Sequence, residues 1–453
     1  MREQDGGSGA ARQDETIIAP ATPPGRGALA IVRVSGPRAL DVLSSFFRPM
    51  SGTAPGHREA RLGNVFDRKG RLIDQAVATC WFGPRSYTGE DLAEVSVHGS
   101  PAVVREIVEA GVEAGARRAR PGEFTLRAIR SGRLDLARAE AVRDLVEAAT
   151  AEQAHVAARQ LAGEVSDAIG ALAERIVELL ADVEAGLDFS EDEDLGPSPD
   201  EVSRRSRAIA GEIDTLLRAS ETGRRIREGV RVVLTGPPNA GKSSLFNRLV
   251  GSERVIVTPE PGTTRDTIEE TVVIGGLPVV LVDSAGVRES GSQAERAGVE
   301  RALEARRRAD LVLQVYPLHC PERPQPPADR RILLVGTHAD LPLPCPPAPG
   351  TVQVSSLSGR GVDELRGEIA ARLEVPGTGP IESVALATGR HREAASRASR
   401  ILSRLAERAA GGLPAELAAL ELREAAQALR EILGEVSPDD LLGRIFSRFC
   451  IGK

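Results

Sequence analysis

Residues 231–250 read RVVLTGPPNAGKSSLFNRLV. A run of Val and Leu leads into a Gly- and Pro-rich loop, and the loop opens a helix-compatible stretch. The loop itself, Gly236 to Ser243, has the form G-x-x-x-x-G-K-S. That is the phosphate-binding loop pattern, in the strand–loop–helix setting the pattern requires. Backbone N–H groups along Asn239, Ala240, Gly241, Lys242, Ser243 and Ser244 can converge on phosphate oxygens, and the helix N-terminus adds a favourable dipole. Lys242 would reach the β- and γ-phosphates, and the Ser243 hydroxyl would ligate Mg²⁺. This part of the chain is therefore an α/β nucleotide-binding domain.

Lys242 stands out against its background. Of 58 Lys and Arg residues only Lys69, Lys242 and Lys453 are Lys. Asn is equally scarce, at Asn64, Asn239 and Asn247. A Lys kept in so Arg-rich a chain marks a place where a compact point charge fits and a broad guanidinium does not.

The rest of a guanine-nucleotide constellation follows in order. Asp283-Ser-Ala-Gly286 matches the D-x-x-G phosphate and metal motif, and Gly262-Thr-Thr-Arg-Asp266 lies where a first switch would be. Thr264 would add a Mg²⁺ ligand when the γ-phosphate is present. Thr337-His-Ala-Asp340 stands where such GTPases carry N-K-x-D, and Ser355-Ser356-Leu357 matches the loop that closes over guanine. Asp340 would accept from guanine N1 and N2, a donor pair adenine lacks, so GTP is expected rather than ATP. Two departures stand out. Thr337 and His338 replace the usual Asn and Lys, which puts guanine affinity in question more than preference; a His can stack on the purine but lacks the long stem. Val287 follows the D-x-x-G motif, where Ras-like enzymes carry the Gln that orients water. Water must be positioned otherwise, and no arginine finger stands out among so many Arg. Asn239 has two readings: a ligand for a monovalent cation beside the phosphates, or a plain turn residue.

At 453 residues the chain is too long for one ordinary core. Residues 1–13 read as a polar tail and 14–125 as an α+β domain, with strands at 16–34, 76–83 and 92–99 and a helix over 101–115. Residues 126–228 read as helical. Leu161, Val165, Ile169, Leu172, Ile176 and Leu180 fall on one helix face, as do Val142, Leu145, Val146 and Ala149 before them. The acidic stretch 189–201 interrupts, and a third helix covers about 200–222. From 229 to 375, strands at 231–236, 270–276, 277–284, 309–316 and 331–337 alternate with helices, which predicts a doubly wound α/β domain. Pro-rich loops at 317–328 and 342–349 flank the last of these strands. Residues 383–434 are helical again, so 376–453 reads as the second part of a helical domain that the α/β domain interrupts.

Composition narrows the function. Aromatics are 3% of the chain, leaving few stacking platforms for single-stranded nucleic acid, and the net charge of −7 argues against a generally basic coat. The local clusters Arg117–Arg120 and Arg306–Arg308 are either RNA contacts or a solvated face. Cys80, Cys320, Cys345 and Cys450 form no C-x-x-C pair, so a disulfide framework or zinc site is not expected. The start has no secretory character and no run is long enough for a membrane span, which predicts a cytoplasmic protein with no membrane contact.

At this point the sequence resembles the MnmE (TrmE) family of tRNA-modification GTPases. The resemblance runs from about Asp14 to Lys453. It is carried by ATPPGRGALAIVRVSGP (21–37), YTGEDLAEVSVHG (87–99), RPGEFTLRA (120–128), GPPNAGKSSLFN (236–247), PGTTRD (261–266) and RIFSRFCIGK (444–453). It implies an N-terminal domain that binds a one-carbon tetrahydrofolate (5-formyl- or methylene-type) and forms a homodimer. It also implies a discontinuous all-α domain and an inserted G domain that hydrolyses GTP. With an FAD-dependent partner, MnmG (GidA), the family modifies C5 of the wobble uridine of certain tRNAs, adding a carboxymethylaminomethyl-type group. Its G domains resemble those activated by potassium-dependent dimerisation.

Carried onto this chain, the resemblance makes Asn239, Thr258, Glu260 and Thr263 the K⁺ surroundings, and Ser243 and Thr264 the Mg²⁺ ligands. It makes Glu295 the residue that orients water, and Arg33, Glu94, Arg133 and Lys453 the folate contacts. Arg133 stands where Lys is common. Cys450 reads either as a nucleophile or as a small packed thiol. Two other classes remain: a GTP-switched ribosome or RNA assembly factor, which calls for a basic RNA-binding module, and a folate enzyme with an incidental GTPase.

Overall fold

The structure, a computed structural model, describes residues 15–188, 196–251, 268–283, 304–373, 386, 388–435, 445–446, 449–450 and 452. It divides into two compact units, Met1–Arg143 with Arg430–Lys453, and Asp144–Leu429.

The first unit is built on a sheet of order β3-β4-β5-β6-β2-β1-β7. Its strands are β1 (Ile17–Pro20), β2 (Gly27–Ser35), β3 (Phe47–Pro49), β4 (Ala60–Phe66), β5 (Leu72–Trp81), β6 (Leu92–Gly99) and β7 (Arg117–Arg118). Strand alternation decides its core. Val32 and Val34 of β2, and Ala93, Val95 and Val97 of β6, point to one face and are buried there with Val42, Phe46, Ile107 and Val108. The last four come from helices α1 (Ala39–Phe46) and α2 (Pro101–Glu113). Helices α3 (Glu123–Arg130) and α4 (Leu136–Glu147) follow. Periodicity places Val142, Leu145, Val146 and Ala149 on one packed face, and the structure corrects this. Val142 is buried, but Leu145 and Val146 are exposed, and Ala149 lies beyond the end of α4.

The second unit opens with α5 (Ala151–Ala162), which a Thr150–Gln153 capping box starts. It continues through α6 (Glu164–Asp188) and α7 (Pro199–Glu228). The expected single face from Leu161 to Leu180 is broken. Gly163 takes φ 112° and ends α5, so Leu161 and Val165 belong to different helices. Within α6, Val165, Ile169, Leu172 and Ile176 are buried as the spacing predicts, but it is Leu179, not Leu180, that is fully buried next. After α7 the chain enters a sheet of order β13-β12-β11-β8-β10-β9. Its strands are β8 (Val230–Thr235), β9 (Ile268–Ile274), β10 (Leu277–Asp283), β11 (Leu311–Pro317), β12 (Ile332–Thr337) and β13 (Val352–Gln353). Neighbours in β10-β8-β11-β12-β13 run parallel, whereas β9 pairs antiparallel with β10 through a turn at Gly275-Gly276. The doubly wound α/β domain therefore has a mixed sheet, with β13 beyond the strand read as last.

Both faces of this sheet are covered, so its strands read as continuous apolar runs. Val232 and Leu234 of β8 pack with Leu245 and Leu249 of α8 (Lys242–Val250) and with Leu365 and Ile369 of α9 (Val362–Arg372). Val233 packs on the opposite face with Val282 and Val312.

The helical stretch that follows is two helices, α10 (Gly389–Ala410) and α11 (Ala415–Leu433), parted at Gly411-Gly412. Helix α10 lies along α7. Ser203 Oγ donates to Ala406 O at 2.6 Å, Ser399 Oγ to Asp214 at 2.6 Å, and Leu386 N to Ser220 Oγ at 2.8 Å. The helices before and after the α/β sheet are therefore one packed pair. Among the described residues no helix is long and apolar enough to cross a membrane.

Candidate nucleotide site

Strand β8 delivers the phosphate-binding loop, and the loop's glycines are set by close backbone approach. A Cβ on Gly236 would lie 2.1 Å from Val315 O of the neighbouring strand. Gly241 has φ 82° and caps the N-terminus of α8. Asn239 also has positive φ, 61°, a conformation Asn tolerates better than most residues. That gives the turn reading of Asn239 a physical basis, which a cation role does not exclude.

Lys242 is only 7% exposed. Its ammonium donates to Gly236 O at 2.9 Å and Pro237 O at 2.8 Å, bridging the loop's own carbonyls. Burial pushes its pKa below the ordinary lysine value, and Asp283 pulls the other way. Ser243 Oγ donates to Asp283 Oδ2 at 2.9 Å, so a hydroxyl and a buried carboxylate converge beside the loop. Hard oxygen donors of this kind suit Mg²⁺.

The purine end is assembled by β12 and the loop after β13. Thr337 takes on a task that replacement of the motif Asn left open. Its hydroxyl donates to Ala240 O at 2.6 Å, tying the guanine motif to the phosphate loop. Thr337→Val would keep the volume and leave that carbonyl without its buried donor. A loss of about 1–3 kcal/mol of stability is expected, and denaturant unfolding would measure it. His338 has φ 60° and is half-buried. Asp340 is exposed, and a side-chain hydrogen bond from Ser355 holds its carboxyl below the ordinary aspartate value, keeping it an acceptor. Ser356 follows, and Leu357 is 86% exposed at the rim. The structure thus brings together Asn239–Ser244, Asp283, Thr337, His338, Asp340 and Ser355–Leu357 around the C-terminal ends of parallel strands, where such sheets bind ligands. Thr258, Glu260, Thr263, Thr264, Gly286 and Glu295 lie outside the described residues.

In the first unit, Arg33 Nε donates to Glu94 Oε1 at 2.8 Å, and Arg33 Nη1 to Gly452 O at 3.2 Å. The Arg33 guanidinium lies 5.3 Å from the Tyr87 ring centre and 5.5 Å from that of Phe124. Gly452 is required where it stands, since a Cβ there would lie 2.0 Å from Pro20 O. Sequence reasoning misses Tyr87, Phe124 and Gly452 as members of this cluster, although the first two fall within the stretches YTGED and RPGEF. Arg133 is exposed beside Gly89, and Lys453 lies outside the described residues. Cys450 is exposed, and its carbonyl accepts from Gly122 N at 3.4 Å. Arg117 is not a free RNA contact. It bonds Glu123 at 2.6 Å and Glu15 at 2.8 Å. Arg306 to Arg308 are exposed, with Arg308 paired to Glu304 at 2.6 Å.

Known proteins resemble the chain along nearly its whole length. The family described as GTP-binding protein TrmE N-terminus matches residues 16–133, and the MnmE helical domain family matches residues 136–450. The tRNA modification GTPase MnmE of Aquifex aeolicus is 42% identical over 454 residues, covering 97% of this chain and 100% of its own. Those of Chloroflexus aurantiacus, 42% identical over 457 residues, and Thermus thermophilus, 43% over 441, each cover 97% of this chain, and 100% and 99% of their own length. The chain belongs to the MnmE family of tRNA modification GTPases.

Proposed function

We propose that the chain hydrolyses GTP in order to drive rearrangement within a tRNA-modifying assembly. The observation that carries the nucleotide part is the convergence of the buried Lys242 ammonium, the Ser243–Asp283 oxygen pair and the Asp340 carboxylate at the C-terminal ends of the parallel strands. Loop N–H groups and Lys242 would neutralise phosphate, and Ser243 with Thr264 would hold Mg²⁺, which supplies charge stabilisation at the transferred phosphoryl group. Asp340, with Ser355 behind it, would select guanine. Ala240 and Gly241 shape the loop, Gly286 follows Asp283, and Glu295 would orient water in place of the missing Gln.

The further reading covers K⁺ held by Asn239 with Thr258, Glu260 and Thr263, and a homodimer through the N-terminal domain. The boundaries 14–125, 126–228, 229–375 and 376–453 belong to it, as do a cytoplasmic setting and pairing with MnmG. A tetrahydrofolate would lie at Arg33, Glu94, Arg133 and Lys453. Donor Arg33 and acceptor Glu94, beside the Tyr87 and Phe124 rings, offer what a flat pterin with mixed polar edges needs.

Two measurements test this reading. Replacing K⁺ by Na⁺ is expected to slow GTP hydrolysis by about tenfold or more, as loss of a charge at the transition state would; an unchanged rate removes Asn239 from that role. Mass spectrometry of wobble uridines from a strain lacking the protein should show the C5 modification missing, and an unaltered profile would sink the tRNA assignment.

A further inference from the structure

A purine held at Asp340 needs a wall for its ring. A Lys in the guanine motif would provide one with its stem, but here the residue is His338. The imidazole is shorter, and left alone it could turn about its own side-chain bonds.

Its surroundings do not leave it alone. The ring stands against the phosphate loop: a Cβ built on Gly241 would lie 3.3 Å from His338 Cε1. The Thr337 hydroxyl lies 3.2 Å from His338 Nδ1. From the other side comes His319, with ring centres 4.8 Å apart and planes at 87°, an edge-on aromatic pair.

His319 is exposed, and no core demands it. Its backbone is nevertheless held on both flanks. Leu318 N donates to Thr337 O at 3.0 Å and continues the β11–β12 pairing by one residue. The Leu318 side chain is fully buried over Gly336, where any Cβ would lie 2.6 Å from it. Arg323 donates to Leu318 O at 3.0 Å and also to Cys320 O, bracketing His319. The same guanidinium donates to Cys345 O at 3.0 Å and Pro346 O at 3.2 Å, tying the two Pro-rich loops together. One exposed ring is thus presented at a fixed place, against the residue that departs from the guanine motif.

We infer that His319 is a positioning residue for the guanine nucleotide. Edge-on against His338, it holds that imidazole as the wall on which the purine packs, a task a Lys stem would do by its own length. The inference rests on the GTP reading above.

Titration of the full-length chain with fluorescent GDP tests it. His319→Ala is expected to weaken binding about two- to tenfold, the range of an edge-on aromatic pair. His319→Phe keeps the ring and should stay within about twofold of the unaltered protein. His338→Lys restores the stem, so adding His319→Ala to it should change affinity little. Three results would each overturn the role: no effect of His319→Ala, equal loss in the Phe variant, or the same loss in the His338→Lys background, which would point to general loop damage. An unaltered chain that binds neither GDP nor GTP would instead remove the GTP reading, and this inference with it.

Discussion

Lys242→Ala is expected to lower kcat/KM for GTP by about 10²–10³-fold, the cost of removing one preorganised charge from phosphoryl-transfer electrostatics. The side chain is 7% exposed and already spans two loop carbonyls, at 2.9 and 2.8 Å. An ammonium has three donors, so one remains for phosphate while the loop stays closed around the other two. Lys242→Arg should fail nearly as badly. A guanidinium is broader than an ammonium and keeps all its donors in one plane, so it cannot reproduce the compact contact with Gly236 O and Pro237 O while also pointing at phosphate. GTPase assays beside a melting curve would separate lost chemistry from lost fold. Either variant hydrolysing GTP within about tenfold of the unaltered rate would refute the assignment.

Glu123→Ala should destabilise the first unit by about 3–5 kcal/mol, as expected when one member of a buried ionic network is removed. Glu123 is 2% exposed. It accepts from Arg117 at 2.6 and 3.1 Å, from Arg120 N at 2.8 Å and from Arg127 at 3.4 Å. Arg127, 4% exposed, in turn donates to Glu90, which accepts from Ser35 at 2.9 Å. Losing Glu123 leaves a buried cation half-paired. Burial pushes the Glu123 carboxyl up, but the bonds from Arg117 and Arg120 N and the nearby positive charges outweigh it. The folded-state pKa thus lies below the ordinary glutamate value of 4.5. A carboxyl shifted this way contributes stability above its unfolded-state value and loses it as pH falls through the folded one. Acidification below about pH 4.5 should therefore weaken the first unit, and Glu123→Ala should flatten that loss. Urea unfolding at about pH 7 and about pH 3.5 would show both effects; equal pH dependence in the two proteins would refute the argument.

The nucleotide site is legible in the sequence because its residue types stand at fixed short spacings. Gly241 and Lys242 serve the backbone within a few residues of themselves, and Asp340 sits just beyond its own strand. What escapes the sequence depends on partners far along the chain. Thr337 reads as the loss of an Asn, although its hydroxyl reaches Ala240 O by itself. Gly163 is easily passed over because helical spacing on its two sides happens to stay in phase, and only its φ of 112° shows the break. The antiparallel β9 is indistinguishable from a parallel strand by composition; the Gly275-Gly276 turn is the available signal. In α4, Leu145 and Val146 satisfy periodicity and still face outward, since periodicity names a face without saying that anything covers it. The Tyr87, Phe124 and Gly452 cluster needs the sheet to bring its members to Arg33.

The packing of α10 along α7 also sets an order of events during synthesis. The bonded partners Ser203 and Ala406 are 203 positions apart, Asp214 and Ser399 185, and Ser220 and Leu386 166. At translation rates of about 5–20 residues per second, the first half of this helix pair waits roughly 10–40 s for the second. Through that interval α7, whose buried apolar stripe includes Val202, Ile209, Ala210 and Ile213, lacks its α10 neighbour. The nucleotide-binding sheet is completed in the meantime, with short-range pairings such as β9–β10 available at once. A nascent chain should therefore close its GTP-binding half before its helical half, and a slow or faulty closure would hold that stripe open to chaperones.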